Sequence, residues 1–383
     1  MEQNFLWNFG KKQQDRTEAL IQKAYHRTKK KRIVLHPEYL DDERLPEEER
    51  TRVLCEIFNR NIREKQLERI ACHMAPILDG KSSPSHLLAY GPTGSGKTVT
   101  LLHCLSAFER ICEKSSLPFR YRYVDLTTPK TVFGALNEVA MVLAASKRYR
   151  KGIALEHMED KIIHALSCTS GYVCLLIDEI DNISTGMDKF LTFIGKTLPK
   201  KVNARMIYIF LTNRLDWESQ ADPRILSFLK KTDVIFEPYD AMDLQEILKL
   251  RVEKALDSKK VDQGAIEKIA ALACRETGDA RKAIELLARA VRVAEEGPGT
   301  LTEVEVDVAE SLLEEDKTQT LTRALPKQQK AVLLACYMLV VSLLWGKKRV
   351  VSCRGDILIL LLGDFVNGLG QSLRQPDRLH RAA

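Results

Sequence analysis

The 383-residue sequence predicts an α/β fold, a parallel sheet covered by helices on both faces, followed by an all-helical unit. Short apolar runs of buried-strand type alternate with helical patterns from about residue 51 to 238. A glycine-rich turn separates the first of these strands from the helix after it. Beyond "VIFEPYDA" the strands stop while helical periodicity continues.

Residues 1–50 are polar and charged, with a possible helix at 15–27 and no obvious core face, so they are expected to form a basic tail and linker. A helical pattern begins near residue 51 and runs through "NIREKQLERIACHMAPIL". "SHLLAYGPTGSGKTVTLLHCL" reads as strand, turn and helix. "PFRYRYVDL" alternates like a strand, and "GYVCLLIDEID" and "ARMIYIFLTN" have the continuous apolar character of strands buried on both faces. Residues 51–238 thus form the α/β base. Leu244, Ile247, Leu248, Val252 and Ala255 mark one amphipathic helix, and 263–277 and 279–296 mark two more. "GPGTLTEVE" breaks the chain and restarts it with Thr302 and Glu305 at capping-box spacing. The helical unit is expected over 239–319, and "LPKQQKAVLLACYML" opens a last segment, 320–383, with another helix.

Apolar content of 45% and charged content of 29% belong to a soluble globular chain with room for two or three domains. The run "AVLLACYMLVVSLLW" (331–345) is shorter than the roughly 20 apolar residues a bilayer span requires, so a buried helix and no membrane are expected. Nine cysteines show no C-x-x-C pair, and no signal peptide precedes them. Reduced thiols in a cytoplasmic setting follow. The net charge of +7 is uneven: residues 1–34 carry +6 and residues 346–383 carry +4, leaving −3 between them. Basic ends on a near-neutral body suit a polyanion, nucleic acid first, and a nucleoid-associated location.

"GPTGSGKT" matches the phosphate-loop pattern at Gly91, Gly96, Lys97 and Thr98, between a strand and a helix as the motif requires. The stretch Gly91, Pro92, Thr93, Gly94, Ser95 and Gly96 is expected to wrap phosphate oxygens with backbone amides. Lys97 would reach the β- and γ-phosphates of ATP, and the Thr98 hydroxyl would ligate Mg2+. In "LLIDEID", Asp178 ends a strand where it can hold the metal through water, and Glu179 can act as general base; Asp181 is expected to be a helix N-cap. Asn213 ends another buried strand and can contact the γ-phosphate. Arg224 in "DPRILSF" either stays in its own domain or reaches a neighbouring subunit's nucleotide as a finger.

In "RETGDARKAIELL" Gly278 suits a left-handed cap and Asp279 an N-cap. Arg281 and Lys282 then place two cations in a first helical turn, against the helix dipole. A γ-phosphate facing that turn supplies the missing negative charge and would let Arg281 report on the bound nucleotide.

This set and order resemble an AAA+ ATPase. More narrowly, they are similar to the archaeal replication-initiator family related to the origin recognition complex and the cell-division-control helicase loader. The carrying stretches are "NIREKQLERI", "DPRILSF", "VIFEPYDAMDLQEIL", "GDARKAIELLARA" and "ALPKQQKAVLLA", over about 35–340. The resemblance implies ATP and Mg2+ at Lys97, Thr98, Asp178 and Glu179, with Asn213 as first sensor, Arg281 as second sensor and Arg224 as finger. It also implies double-stranded origin DNA, a replicative helicase as partner, and self-association or pairing with a paralogous initiator. A DNA-contacting helical insertion would fall within about 129–155, with Lys147, Arg148, Arg150 and Lys151 interleaved with Tyr149. Residues 320–383 depart from the pattern: they show no clear recognition helix or hairpin wing, and so a truncated or divergent winged helix is expected. A signalling switch ATPase acting on protein partners is the main alternative. A clamp-loader subunit and a remnant that binds ATP without engaging DNA are others.

Overall fold

In the computed structural model of the chain, residues 33–41, 46–80, 86–144, 154–214, 216–217, 222 and 231–345 are described. They fall into two compact units that divide between Val306 and Asp307.

The first unit is built on five parallel strands: β1 (His86–Tyr90), β2 (Phe119–Asp125), β3 (Tyr172–Asp178), β4 (Arg205–Thr212) and β5 (Lys231–Ile235). Their order is β2-β3-β4-β1-β5. Registers such as Asp125 against Asp178 and Tyr90 against both Thr212 and Ile235 bring the carboxyl ends level. Loops leaving β1, β3 and β4 therefore open on one edge, where ligands of open α/β sheets sit. The burial pattern follows strand position. Central β3 is buried throughout and β4 at every residue after Arg205, whereas edge strand β2 exposes Arg120, Arg122 and Asp125.

Because side chains alternate across a strand, the sheet feeds two cores. Leu175 and Ile177 face α4 (Val132–Ala144), α5 (Leu155–Leu166) and α6, a helix running through Met187–Thr192, Phe193–Thr197 and Leu198–Lys201. Cys174 and Leu176 face α2 (Glu64–Met74) and α3 (Lys97–Lys114). The middle piece of α6 has π-type hydrogen bonding, and the Tyr208 hydroxyl donates to the Ile194 carbonyl there.

After β5 the chain enters α7 (Ala241–Ala255), α8 (Gln263–Glu276) and α9 (Ala280–Glu296). The five apolar positions expected on the first of these are all buried, and α9 buries Ile284, Leu287 and Val291. Helix α1 (Glu47–Phe58) and the turn after it join this helical group to the base. Arg60 pairs with Glu246 and Glu253, and Lys254 with Glu56.

Two expectations need correction. Residues 33–35 are not a featureless linker: Ile33 is fully buried, Val34 bridges to Leu256, and Leu35 donates to the Ala255 carbonyl. The Glu295 carboxylate accepts from the Ile33 and Val34 amides. Such backbone pairing over more than two hundred residues leaves no local periodicity. The second correction concerns 331–345. Helix α10 (Glu303–Ala324) crosses into the second unit, where α11 (Lys327–Trp345) follows. The expected helix forms, but Val332, Leu333 and Tyr337 are exposed rather than buried. Helical hydrogen bonds are satisfied within the segment, whereas burial needs a facing surface that the segment cannot supply. Among the described residues no helix is long and apolar enough to cross a membrane. The possible helix at 15–27, the basic tail and residues 346–383 lie outside the described residues.

Candidate nucleotide-binding site

The phosphate loop leaves β1 and enters α3. Gly94 and Gly96 take φ of +73° and +81°, the left-handed region where glycine has no steric cost. Space adds a second demand: a Cβ on Gly94 would meet the Asp279 carboxylate, and one on Gly96 the Tyr239 hydroxyl.

Lys97 is 6% exposed, and its Nζ donates to the Gly91 and Pro92 carbonyls and to Asn213 Oδ1 at 2.8–2.9 Å. Three acceptors match the three N–H bonds of an ammonium. Burial nevertheless pulls its pKa down to about 8; the Asp178 charge opposes this and Arg281 adds to it.

Asp178, at the end of β3, accepts from Thr98 Oγ1 at 2.7 Å, from the Tyr123 hydroxyl at 3.1 Å and from the Glu179 amide at 2.9 Å. Burial, reinforced by the Asp178 charge, pushes the Tyr123 phenol up, so it stays a donor. Glu179 has φ +54°, and its carboxylate accepts from Asn182 Nδ2 at 2.6 Å. A left-handed non-glycine residue costs roughly 1–3 kcal/mol and persists where its surroundings over-determine it. Asp181 is not the N-cap it was expected to be. It lies within the short 3-10 turn Ile180–Asn182, and its Oδ1 accepts from Thr212 Oγ1 on β4 at 2.8 Å.

From the other side comes the start of α9. Gly278 has φ +63° and Asp279 Oδ1 accepts from the Arg281 amide, as the sequence indicates. The Ala280 amide donates to the Gly94 carbonyl, which seats the helix on the phosphate loop. Lys282 turns away to Glu276 at 3.3 Å.

One cleft of about 890 Å³, including solvent at its mouth, collects Thr93, Gly94, Gly96, Lys97, Thr98, Asp178, Glu179, Asn213 and Arg281. Leu54, Ile57, Phe58, Ile247 and Ile284 also line it, together with Tyr239 and the buried Arg251. Donor-rich loop residues beside apolar side chains suit the phosphates and the base of a nucleotide in chemistry. Arg224, Lys147, Arg148, Arg150 and Lys151 lie outside the described residues.

Sequence reasoning missed Arg63, Tyr123, Asn182 and Tyr239. Only Arg63 left a signal, because "NIREK" stands out ahead of the phosphate loop without announcing what the arginine touches.

Comparison with known proteins bears on this geometry. Residues 80–216 match the family described as "AAA domain", and residues 245–311 match "Cdc6 AAA+ ATPase-type lid domain". The chain is 33% identical to an "ORC1-type DNA replication protein" of Pyrococcus furiosus over 72% of this chain and 67% of that protein. It is 31% identical to "ORC1-type DNA replication protein 1" of Aeropyrum pernix over 84% of this chain and 77% of that protein. The Aeropyrum pernix ORC1 protein solved in complex with DNA superposes with a TM-score of 0.64 at 26% identity, covering 89% of this chain and 83% of that one.

Proposed function

The chain belongs to the ORC1-type DNA replication protein family of AAA+ ATPases, and from that premise we propose an ATP-switched replication initiator that binds origin DNA and helps load the replicative helicase. The observation that carries the reading is the meeting of Lys97, Asp178, Asn213 and Arg281 in one cleft. In it, residues 51–238 act as base, 239–319 as lid and 320–383 as a truncated or divergent winged-helix segment.

In this reading the loop from Gly91 to Gly96 presents amides to the phosphates and Lys97 neutralises them. Thr98 and Asp178, a hydroxyl beside a carboxylate, are hard oxygen donors suited to Mg2+, which would draw charge from the β- and γ-phosphates. Glu179 takes the proton of the water that attacks the γ-phosphorus as the bond to the bridging oxygen breaks. Asn213 contacts the γ-phosphate, and Arg281 meets it from the lid, where the α9 dipole also favours an anion. Arg224 completes the charge of a neighbouring subunit's site, in a self-assembly or beside a paralogous initiator.

DNA is met by Lys147, Arg148, Arg150 and Lys151 together with the basic ends, in the cytoplasm at the nucleoid. The names of the relatives favour replication over the signalling alternative.

Retention of duplex origin DNA on filters with ATP or with ADP, at about 0.15 M salt, tests the switch. ATP should raise retention in wild type and not in Lys97→Ala. Equal retention with both nucleotides would remove the switch from the proposal.

A further inference from the structure

Arg63 is a strongly buried cation against the phosphate loop that the reading above leaves without a task. It is 7% exposed, and its backbone has φ +63°, in a turn where Asn61 is also left-handed at +62°. A left-handed arginine with its guanidinium carried inward indicates that the side chain, and not the backbone, fixes the residue there.

The guanidinium joins two parts of the fold, the phosphate loop and the segment that follows β5. Its Nη2 donates to the Ser95 carbonyl of the phosphate loop at 2.8 Å and to the Glu237 carbonyl after β5 at 2.6 Å. Its Cζ lies 3.9 Å from the centroid of the Tyr239 ring. Tyr239 in turn sets its hydroxyl against Gly96, and its amide donates to the Gly278 carbonyl at the head of α9.

Peptide geometry converts the first contact into a consequence for the loop. A trans peptide points its C=O and N–H in opposite directions. Holding the Ser95 oxygen toward Arg63 therefore turns the Gly96 N–H away from it, into the loop that α3 extends. We infer that Arg63 is a positioning residue that braces the phosphate loop from behind, fixing the Ser95–Gly96 peptide for phosphate binding and tying it through Tyr239 to the entrance of the lid. The inference rests on the nucleotide reading of the cleft. It adds a group that touches no phosphate itself.

Arg63→Gly tests it with little backbone penalty, since glycine suits φ +63°. Affinity for ATP and for ADP, read by titration of a fluorescent analogue of each, should fall together by about 10- to 100-fold, the scale of lost charge-assisted hydrogen bonds. Methylguanidinium at sub-denaturing concentration should restore a good part of both, an outcome that general loss of structure would not give. Arg63→Lys should recover less, because an ammonium cannot stack and fork in the same way. Tyr239→Leu, which keeps the arginine and removes its stacking plane, should weaken both nucleotides in the same direction. It also serves if Arg63→Gly does not fold.

Wild-type affinity in Arg63→Gly would overturn the inference. So would a loss that methylguanidinium leaves untouched, or wild-type affinity in Tyr239→Leu. Failure of the wild-type protein to bind either nucleotide would sink the nucleotide reading instead, so the two failures are distinguishable.

Discussion

The two sides of the phosphate loop are built on different terms. On the inner side, Lys97, Thr98, Asp178 and Asn213 meet side chain to side chain or on loop carbonyls, over distances of 2.7–2.9 Å. Their partners are groups that a phosphate or a metal ion can take over. On the outer side, Arg63, Tyr239 and Asp279 press against Ser95, Gly96 and Gly94, and all three are buried. Arg63 there bonds backbone carbonyls rather than side chains. The inner side is thus chemistry held ready for exchange, and the outer side is a mould that joins the loop to the lid.

Substitutions can break this division. The largest effect is expected from the inner side. Lys97→Ala should weaken ATP and ADP by about 100-fold or more while the fold survives, because a charged donor to phosphate is lost and a buried cation removed. Isothermal titration beside a far-ultraviolet spectrum checks both halves. Next comes the mould. Gly94→Ala brings a Cβ onto the Asp279 carboxylate in a left-handed residue and should cost about 2–3 kcal/mol in urea unfolding. If it costs nothing, the contact between loop and lid is soft and the comparison fails.

Arg281→Ala sharpens the comparison from the lid. It should still bind ATP but hydrolyse it about 10-fold more slowly, the loss expected when one transition-state contact goes. Normal turnover would mean that the lid arginine does not act on the γ-phosphate. Asp279→Ala removes the N-cap of α9 and should destabilise by about 1 kcal/mol.

The smallest effect is a pH dependence. The pKa of Lys97 falls from an ordinary 10.5 to about 8 in the folded chain. Between those values the unfolded chain holds a proton that the folded chain has released, so ligand-free stability should rise with pH across that window. Lys97→Met should flatten the rise. Phosphate binding needs the ammonium, so ATP affinity should fall as pH climbs past 8, with proton uptake visible as a buffer-dependent binding enthalpy.

How much of this the sequence discloses depends on how far each contact reaches along the chain. Lys97 binds carbonyls five and six residues away, and Asp279 caps an amide two residues on. Both are legible in short strings, as are the strands whose burial on both faces makes them continuously apolar. Arg63 bonds groups 32 and 174 residues distant from a left-handed turn that no propensity announces. Asp181 was misassigned for a related reason: its partner Thr212 is a neighbour only once β3 and β4 are known to lie side by side. For α11 the apolar run indicates a helix correctly, but such a run says nothing about what stands opposite Val332 or Tyr337.

Ile33, Val34 and Leu35 hang from Ala255, Leu256 and Glu295, which are lid residues. Residues 33–35 are therefore anchored on the lid and not on the sheet. Any displacement of those lid helices would carry residues 33–35 along, because, among the described residues, their backbone is paired there and nowhere on the strands.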